Sequence, residues 1–78
     1  MSVMFEVYYS PPADPPREAE WRAMAECHGG RLDFREDATP HTGICLTFEF
    51  DRPAEAEAAA DDFRRRGEHV EGPTAYAD

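Results

Sequence analysis

Gly43-Ile44-Cys45-Leu46-Thr47-Phe48-Glu49-Phe50 carries Ile44, Leu46, Phe48 and Phe50 at every second position, with Cys45, Thr47 and Glu49 between them. A period of two is the pattern of a β-strand with one face in a core and the other turned out. This is the most apolar run in the chain, so it is predicted to be a central strand. Upstream, Arg31-Leu32-Asp33-Phe34-Arg35-Glu36 alternates as well and predicts a strand with Leu32 and Phe34 inward. Asp37 to Thr42 forms the turn between the two. Val3, Phe5, Val7 and Tyr9 alternate with Met4, Glu6 and Tyr8 and give a first strand.

Between these strands lie the helix signals. Ser10-Pro11-Pro12-Ala13-Asp14-Pro15-Pro16 cannot continue a strand, but proline is tolerated in the first turn of a helix. Asp14 is the expected N-cap of a helix from Pro15 to His28, with Trp21, Met24, Ala25 and His28 as its apolar face and Gly29 as its stop. After the central strand, Asp51-Arg52-Pro53 repeats the capping signal. A second helix is expected to run to Arg66, with Ala56, Ala59, Ala60 and Phe63 buried. Glu68 to Glu71 reads as a short last strand closed by Gly72-Pro73, with Tyr76 folding back as a lid.

The order is β-α-β-β-α-β. Right-handed crossovers and adjacent hairpin partners give a four-stranded antiparallel sheet of order 4-1-3-2 with both helices on one face. This is an α+β, ferredoxin-like βαββαβ sandwich. A chain of 78 residues is expected to form it as a single domain over residues 1–78. The fold hosts enzymes, metal carriers, ligand sensors, RNA binders and protein-binding modules, so it constrains function little. The order of elements resembles the ligand-sensing ACT domains and the small acidic inhibitors of RNA-processing enzymes. The aspartate-glycine-tryptophan ending of the inhibitors is absent, and Glu71-Gly72-Pro73 stands in its place. No functional residue is carried across on that resemblance.

Charge excludes more than the fold does. Seventeen acids against eight arginines give a net charge of −9, and the chain has no lysine, asparagine or glutamine. Lacking lysine, it cannot perform Schiff-base or P-loop chemistry. The net sign opposes nucleic-acid backbones and anionic membranes; it fits the residue vocabulary of a GC-rich genome, a salt-adapted surface, or a surface that meets a basic protein partner. No apolar run approaches the roughly 18 residues of a membrane span, and the N-terminus lacks the basic start of a secretion signal. A cytoplasmic location is therefore expected.

Cys27, His28, His41 and Cys45 tempt a zinc reading, but the fold sends them to different places. Neither a metal nor another cofactor is expected. Ser10, His41, Thr42 and His69 gather at one end of the sheet and form the candidate ligand-binding end. An acid–base or nucleophilic set there would need a residue to orient either histidine. The sheet face left uncovered by helices is expected to carry Met4, Glu6, Tyr8, Asp33, Arg35, Cys45, Thr47, Glu49, His69 and Glu71. Its few aromatics and its carboxylates oppose RNA stacking. Its mixed charges at cross-strand spacing fit a solvated face of complementary pairs, and they also fit a self-complementary homodimer face in which Glu6 or Glu49 meets Arg35 of a second copy around Met4, Tyr8 and Cys45. Glu57, Asp61 and Asp62 on the second helix form a further acidic face. Only residues of the first turn are explained by the helix dipole.

The expectation is a small, acidic, non-enzymatic binding or regulatory module acting through protein contacts. The alternatives are a small-ligand sensor of ACT-like type and a histidine-dependent hydrolase or isomerase. The charge makes its own prediction. Salt shortens the Debye length from about 30 Å at 0.01 M to about 10 Å at 0.1 M. The melting temperature should rise with sodium chloride over that range. A flat or falling curve in thermal denaturation would show that the arginines already neutralise their neighbours.

Overall fold

The computed structural model describes residues 1–76. The elements are β1 (Ser2–Tyr9), α1 (Pro15–Cys27), β2 (Arg31–Glu36), β3 (Ile44–Phe50), α2 (Pro53–Arg65) and β4 (His69–Tyr76). They form an antiparallel sheet of order β2-β3-β1-β4, the predicted order read from the other edge. Both helices cover one face, and the fold is ferredoxin-like.

The core follows from the alternation. Val3, Phe5, Val7 and Tyr9 face Phe50, Phe48, Leu46 and Ile44 across the β1–β3 ladder, and all eight are buried. Ala56, Ala59, Ala60 and Phe63 of α2 are fully buried, and the small side chains let the helix lie close to the sheet. The Phe63 ring meets Phe5 edge-on at 5.4 Å between centroids and Trp21 of α1 at 6.0 Å, so one aromatic side chain joins both helices to the sheet.

The helix ends match the sequence in part. Asp14 caps α1, its Oδ1 accepting from the Arg17 amide at 3.1 Å. His28 is the C-cap, and Gly29 follows at φ +88°, a left-handed value that suits glycine. His28 is half-buried at the edge of the core, with Nε2 3.5 Å from Asp62 Oδ2. Asp51 does not cap α2. Arg52 is the N-cap and makes no side-chain cap bond, while Asp51 Oδ1 accepts from Arg31 Nη2 at 3.2 Å. Pro53 at the first helical position removes one amide that would otherwise need a partner.

Two strands depart from simple alternation. In β2 the register shifts between Leu32, opposite Phe48, and Phe34, opposite Thr47. Asp33 is the extra residue of a β-bulge. Downstream of it the side chains exchange faces. Phe34 points away from the helices and is 57% exposed, while Arg35 turns under them. This reverses the expected orientation of both residues. In β4 the strand does not stop at Gly72-Pro73 but passes through them. A second bulge leaves Gly72 and Pro73 together beside Phe5. Gly72 has φ +102°, and a Cβ there would lie 3.1 Å from the Met4 carbonyl oxygen. Pro73 is tolerated because β4 is an edge strand. Tyr76 consequently pairs with Ser2 as a strand residue and is no lid.

Arg35 turns inward toward a charge. Glu18 of α1 is buried, at 4% exposure. Its Oε1 accepts from Arg35 Nε at 2.7 Å and its Oε2 from Arg35 Nη2 at 3.0 Å, a bidentate pair. The Tyr9 hydroxyl also donates to Glu18, and in turn accepts from the Asp14 amide at 2.8 Å. Arg35 also pairs with Asp37 at the start of the hairpin loop. The bonds from Arg35 hold the Glu18 carboxyl below its ordinary value; the Tyr9 bond adds to this and burial opposes it. A second node lies at Glu68, which accepts from Arg17 and from Trp21 Nε1, the latter at 2.9 Å.

A carboxylate with a depressed folded pKa contributes stability that is present above its unfolded value, about 4.3, and is lost as pH falls through the folded value. Glu18→Gln should therefore be less stable than the parent at pH 7. The gap should narrow in urea denaturation as the pH is lowered from 7 to 3, because protons increasingly compete with Arg35 for the Glu18 carboxylate. An equal gap at both pH values would mean that the charge on Glu18 does not hold the pair.

Candidate functional site on the open sheet face

Three rows of side chains cross the face that the helices leave open, set by the strand registers. The first is Glu36, Cys45, Tyr8 and His69, the second Phe34, Thr47, Glu6 and Glu71, the third Arg31, Glu49, Met4 and Thr74. Phe34 and Tyr76 stand exposed on this face. The first row is the least exposed at its centre. Cys45 is buried, and Tyr8 is half-buried with its ring 5.7 Å from the His69 ring in an edge-on contact.

Tyr8 separates two depressions. One, of about 340 Å³, is lined by Tyr8, Thr42, Gly43, His69 and Glu71. The other, of about 130 Å³, is lined by Tyr8, Glu36, Thr42, Gly43 and Cys45. The Tyr8 hydroxyl donates to Glu6 Oε2 at 3.2 Å. Burial first, then the neighbouring Cys45 and Glu6, raise the Tyr8 phenol well above its ordinary value. Burial also raises the Cys45 thiol; Glu6 and Glu36 add to the rise, while hydrogen bonds with Tyr8 and Thr47 work against it. Both groups are therefore neutral at pH 7 and sit in a negative field.

That field is not cancelled locally. Glu6 lies directly opposite Glu71 in the β1–β4 ladder. Like charges at this spacing are destabilising. Arg31 lies on the face but is committed to Glu49 at 3.0 Å and Asp51 at 3.2 Å. Among the described residues no arginine ion-pairs with Glu6, Glu36 or Glu71. Among the described residues the one ion-pair contact of Glu71 is with His69, Nε2 to Oε1 at 3.8 Å.

The residues singled out from sequence separate on this geometry. Met4, Tyr8 and Glu49 lie on the open face as expected. Arg35 does not, because the bulge at Asp33 turns it to Glu18, and the expected dimer contact of Glu6 or Glu49 with Arg35 is lost with it. His69 and Thr42 share the larger depression, whereas Ser10 and His41 line neither. His41 sits exposed in the hairpin loop, its amide donating to Thr39 Oγ1 at 3.1 Å. The 3.8 Å between His69 and Glu71 exceeds the roughly 2.6–3.2 Å of an oriented acid–base pair. On α2, Glu57 and Asp61 are exposed, but Asp62 is engaged by His28 at 3.5 Å and Arg66 at 3.8 Å. Phe34, Glu36 and Glu71 are the residues of this face that sequence reasoning missed or left unused. The signal for Phe34 lies in Asp33, a strand-breaking residue in the middle of a short strand.

No family model, no curated protein and no solved structure matches the chain. The arrangement of the cysteines yields a direct test. Both are free, Cys27 exposed at the end of α1 and Cys45 buried in the sheet. A thiol reagent should modify one cysteine rapidly in the native protein and the second only after unfolding. Two fast-reacting thiols would contradict the burial of Cys45.

Proposed function

We propose that this chain is a non-enzymatic binding module that docks a protein partner with a basic surface on its open sheet face. The observation that carries the reading is Phe34. A bulge places a large apolar side chain at 57% exposure on a face where, among the described residues, Glu6, Glu36 and Glu71 have no arginine partner. An exposed aromatic ringed by charge is the composition of an interaction surface. Met4 and Tyr8 extend the apolar strip toward β1, and Glu6, Glu36 and Glu71 supply the sign that would steer a basic surface.

This charge pattern favours a different protein over a second copy. A two-fold contact brings the same patch onto itself. The open face would then set carboxylates against carboxylates, since Arg35 has left it and Arg31 is engaged. The acidic face of α2 is the weaker candidate. Asp62 is held within the molecule, leaving Glu57 and Asp61 exposed without an apolar anchor beside them.

Quantitative capture from a native lysate tests the reading by comparison of variants. Phe34→Ser should lose the partners that the parent retains, while a Glu57→Gln, Asp61→Asn variant should keep them. Binding should also weaken between low and moderate salt. Partners that survive Phe34→Ser but are lost from the α2 variant would move the site to the helix. A sedimentation dimer that Phe34→Ser dissociates would make the partner a second copy.

A further inference from the structure

We infer that the larger depression beside Tyr8 receives an arginine side chain of the partner, its guanidinium lying against the Tyr8 ring and pairing with Glu71. This rests on the reading of the open face as the docking surface and names what that surface recognises.

Three independent features converge there. The first is space. About 340 Å³ lies at the lower end of the range for small-molecule sites, ample for one long side chain. The second is charge. The β1–β4 ladder places Glu6 directly across from Glu71, a pairing that works against the sheet. Local rules broken at a surface position tend to mark functional positions. A cation seated between the strands would remove the repulsion, so the cost to the free protein becomes affinity for a positively charged group. The third is the wall. Tyr8 borders the depression with an aromatic ring whose phenol stays protonated, and it keeps its hydroxyl on Glu6.

These features favour guanidinium over ammonium. A planar guanidinium stacks on an aromatic ring and forms paired bonds with a carboxylate, and it is more weakly hydrated than an ammonium. Thr42 also lines the depression, with its hydroxyl hydrogen-bonded to Thr39 Oγ1 at 2.9 Å. His69 lines the depression as well, its ring in an edge-on contact with Tyr8. Nothing in this arrangement needs a covalent step. It is recognition of one cationic side chain by a shallow site, with the apolar contact at Phe34 supplying affinity next to it.

The test uses the full chain, labelled with ¹⁵N, titrated with N-acetyl-arginine-N-methylamide at low salt and separately with the lysine counterpart. The arginine probe should give saturable shifts at the Tyr8, Gly43, His69 and Glu71 amides, with a dissociation constant on the order of millimolar. Glu71→Gln should weaken it about tenfold, and Glu57→Gln should leave it unchanged. Absence of saturable shifts at those amides, equal binding of the lysine probe, or indifference to Glu71→Gln would overturn the proposal. The outcomes separate from those of the capture experiment. Phe34-dependent partners with silent amides remove the arginine site and leave the docking face standing. Partners indifferent to Phe34→Ser remove the docking face and the arginine site together.

Discussion

The buried Glu18–Arg35 pair is the constraint from which the rest of the molecule follows. A carboxylate taken out of water is costly unless it is paired and fully hydrogen-bonded. Glu18 sits one turn before Trp21 on the apolar stripe of α1, so the helix cannot pack without burying it. Arg35 satisfies both of its oxygens in the forked geometry that guanidinium allows, and the Tyr9 hydroxyl supplies a third donor. For Arg35 to reach Glu18, it must lie on the helix side of β2. Leu32, two strand positions from Phe34, must lie on that side as well, to cover Phe48. Strict alternation puts Arg31, Asp33 and Arg35 on the face opposite Leu32. One additional residue between Leu32 and Arg35 resolves the conflict, and the bulge at Asp33 is that residue.

The same bulge makes the open face what it is. Moving Arg35 inward removes a cation from the face, and moving Phe34 outward adds an aromatic. Both changes act in one direction, toward a surface with an apolar anchor and uncompensated acids. Elsewhere the arginines are drawn to the margins of the helix layer: Arg17 to Glu68, Arg66 to Glu20 and Asp62, and Arg64 to the Gly72 carbonyl. A net charge of −9 is therefore not spread evenly. The helical side is threaded with opposite-sign pairs, while among the described residues Glu6, Glu36 and Glu71 in the first two rows of the open sheet have no arginine partner.

Most of the architecture was legible because it rests on short-range rules. Period two in β1 and β3, Asp14 ahead of Pro15, and the alanine stripe of α2 each encode their own outcome, and the strand order follows from connectivity. What was not legible depends on contacts distant in sequence. Phe34 and Arg35 alternate perfectly on paper, and only the carboxylate 17 residues upstream decides which of them turns inward. Glu18 itself carried a signal, since it lies three positions before Trp21 on the buried stripe and an acid there demands a partner. Gly72-Pro73 was read as a stop because proline usually ends a strand, yet at a sheet edge a bulge accommodates it. Asp51 resembled a cap, and the nearby Arg31 guanidinium competes for its carboxylate. For the candidate site, Met4, Tyr8 and Glu49 were placed correctly by alternation alone. The opposition of Glu6 and Glu71 required the register of β4 on β1, which no local pattern supplies.

The two bulges also bear on which surface a partner can use. A ferredoxin-like sheet ends in two edge strands, β2 and β4 here, and exposed edges invite pairing with another chain. Both edges are interrupted. β2 is six residues long and broken at Asp33, and β4 is broken at Gly72 and Pro73, where proline has no amide to offer. Interrupted edges are the usual protection against strand addition. Backbone pairing is thus disfavoured on both sides of the sheet, in keeping with a proposed docking mode that uses the sheet's face instead. Recognition on a face depends on side chains rather than on backbone ladders, and these can be as specific as the positions of a single aromatic and two opposed carboxylates. The bulge that closes the β2 edge to strand addition is also the one that turns Phe34 out. One local irregularity thereby both blocks an unwanted mode of association and creates the anchor of the proposed one.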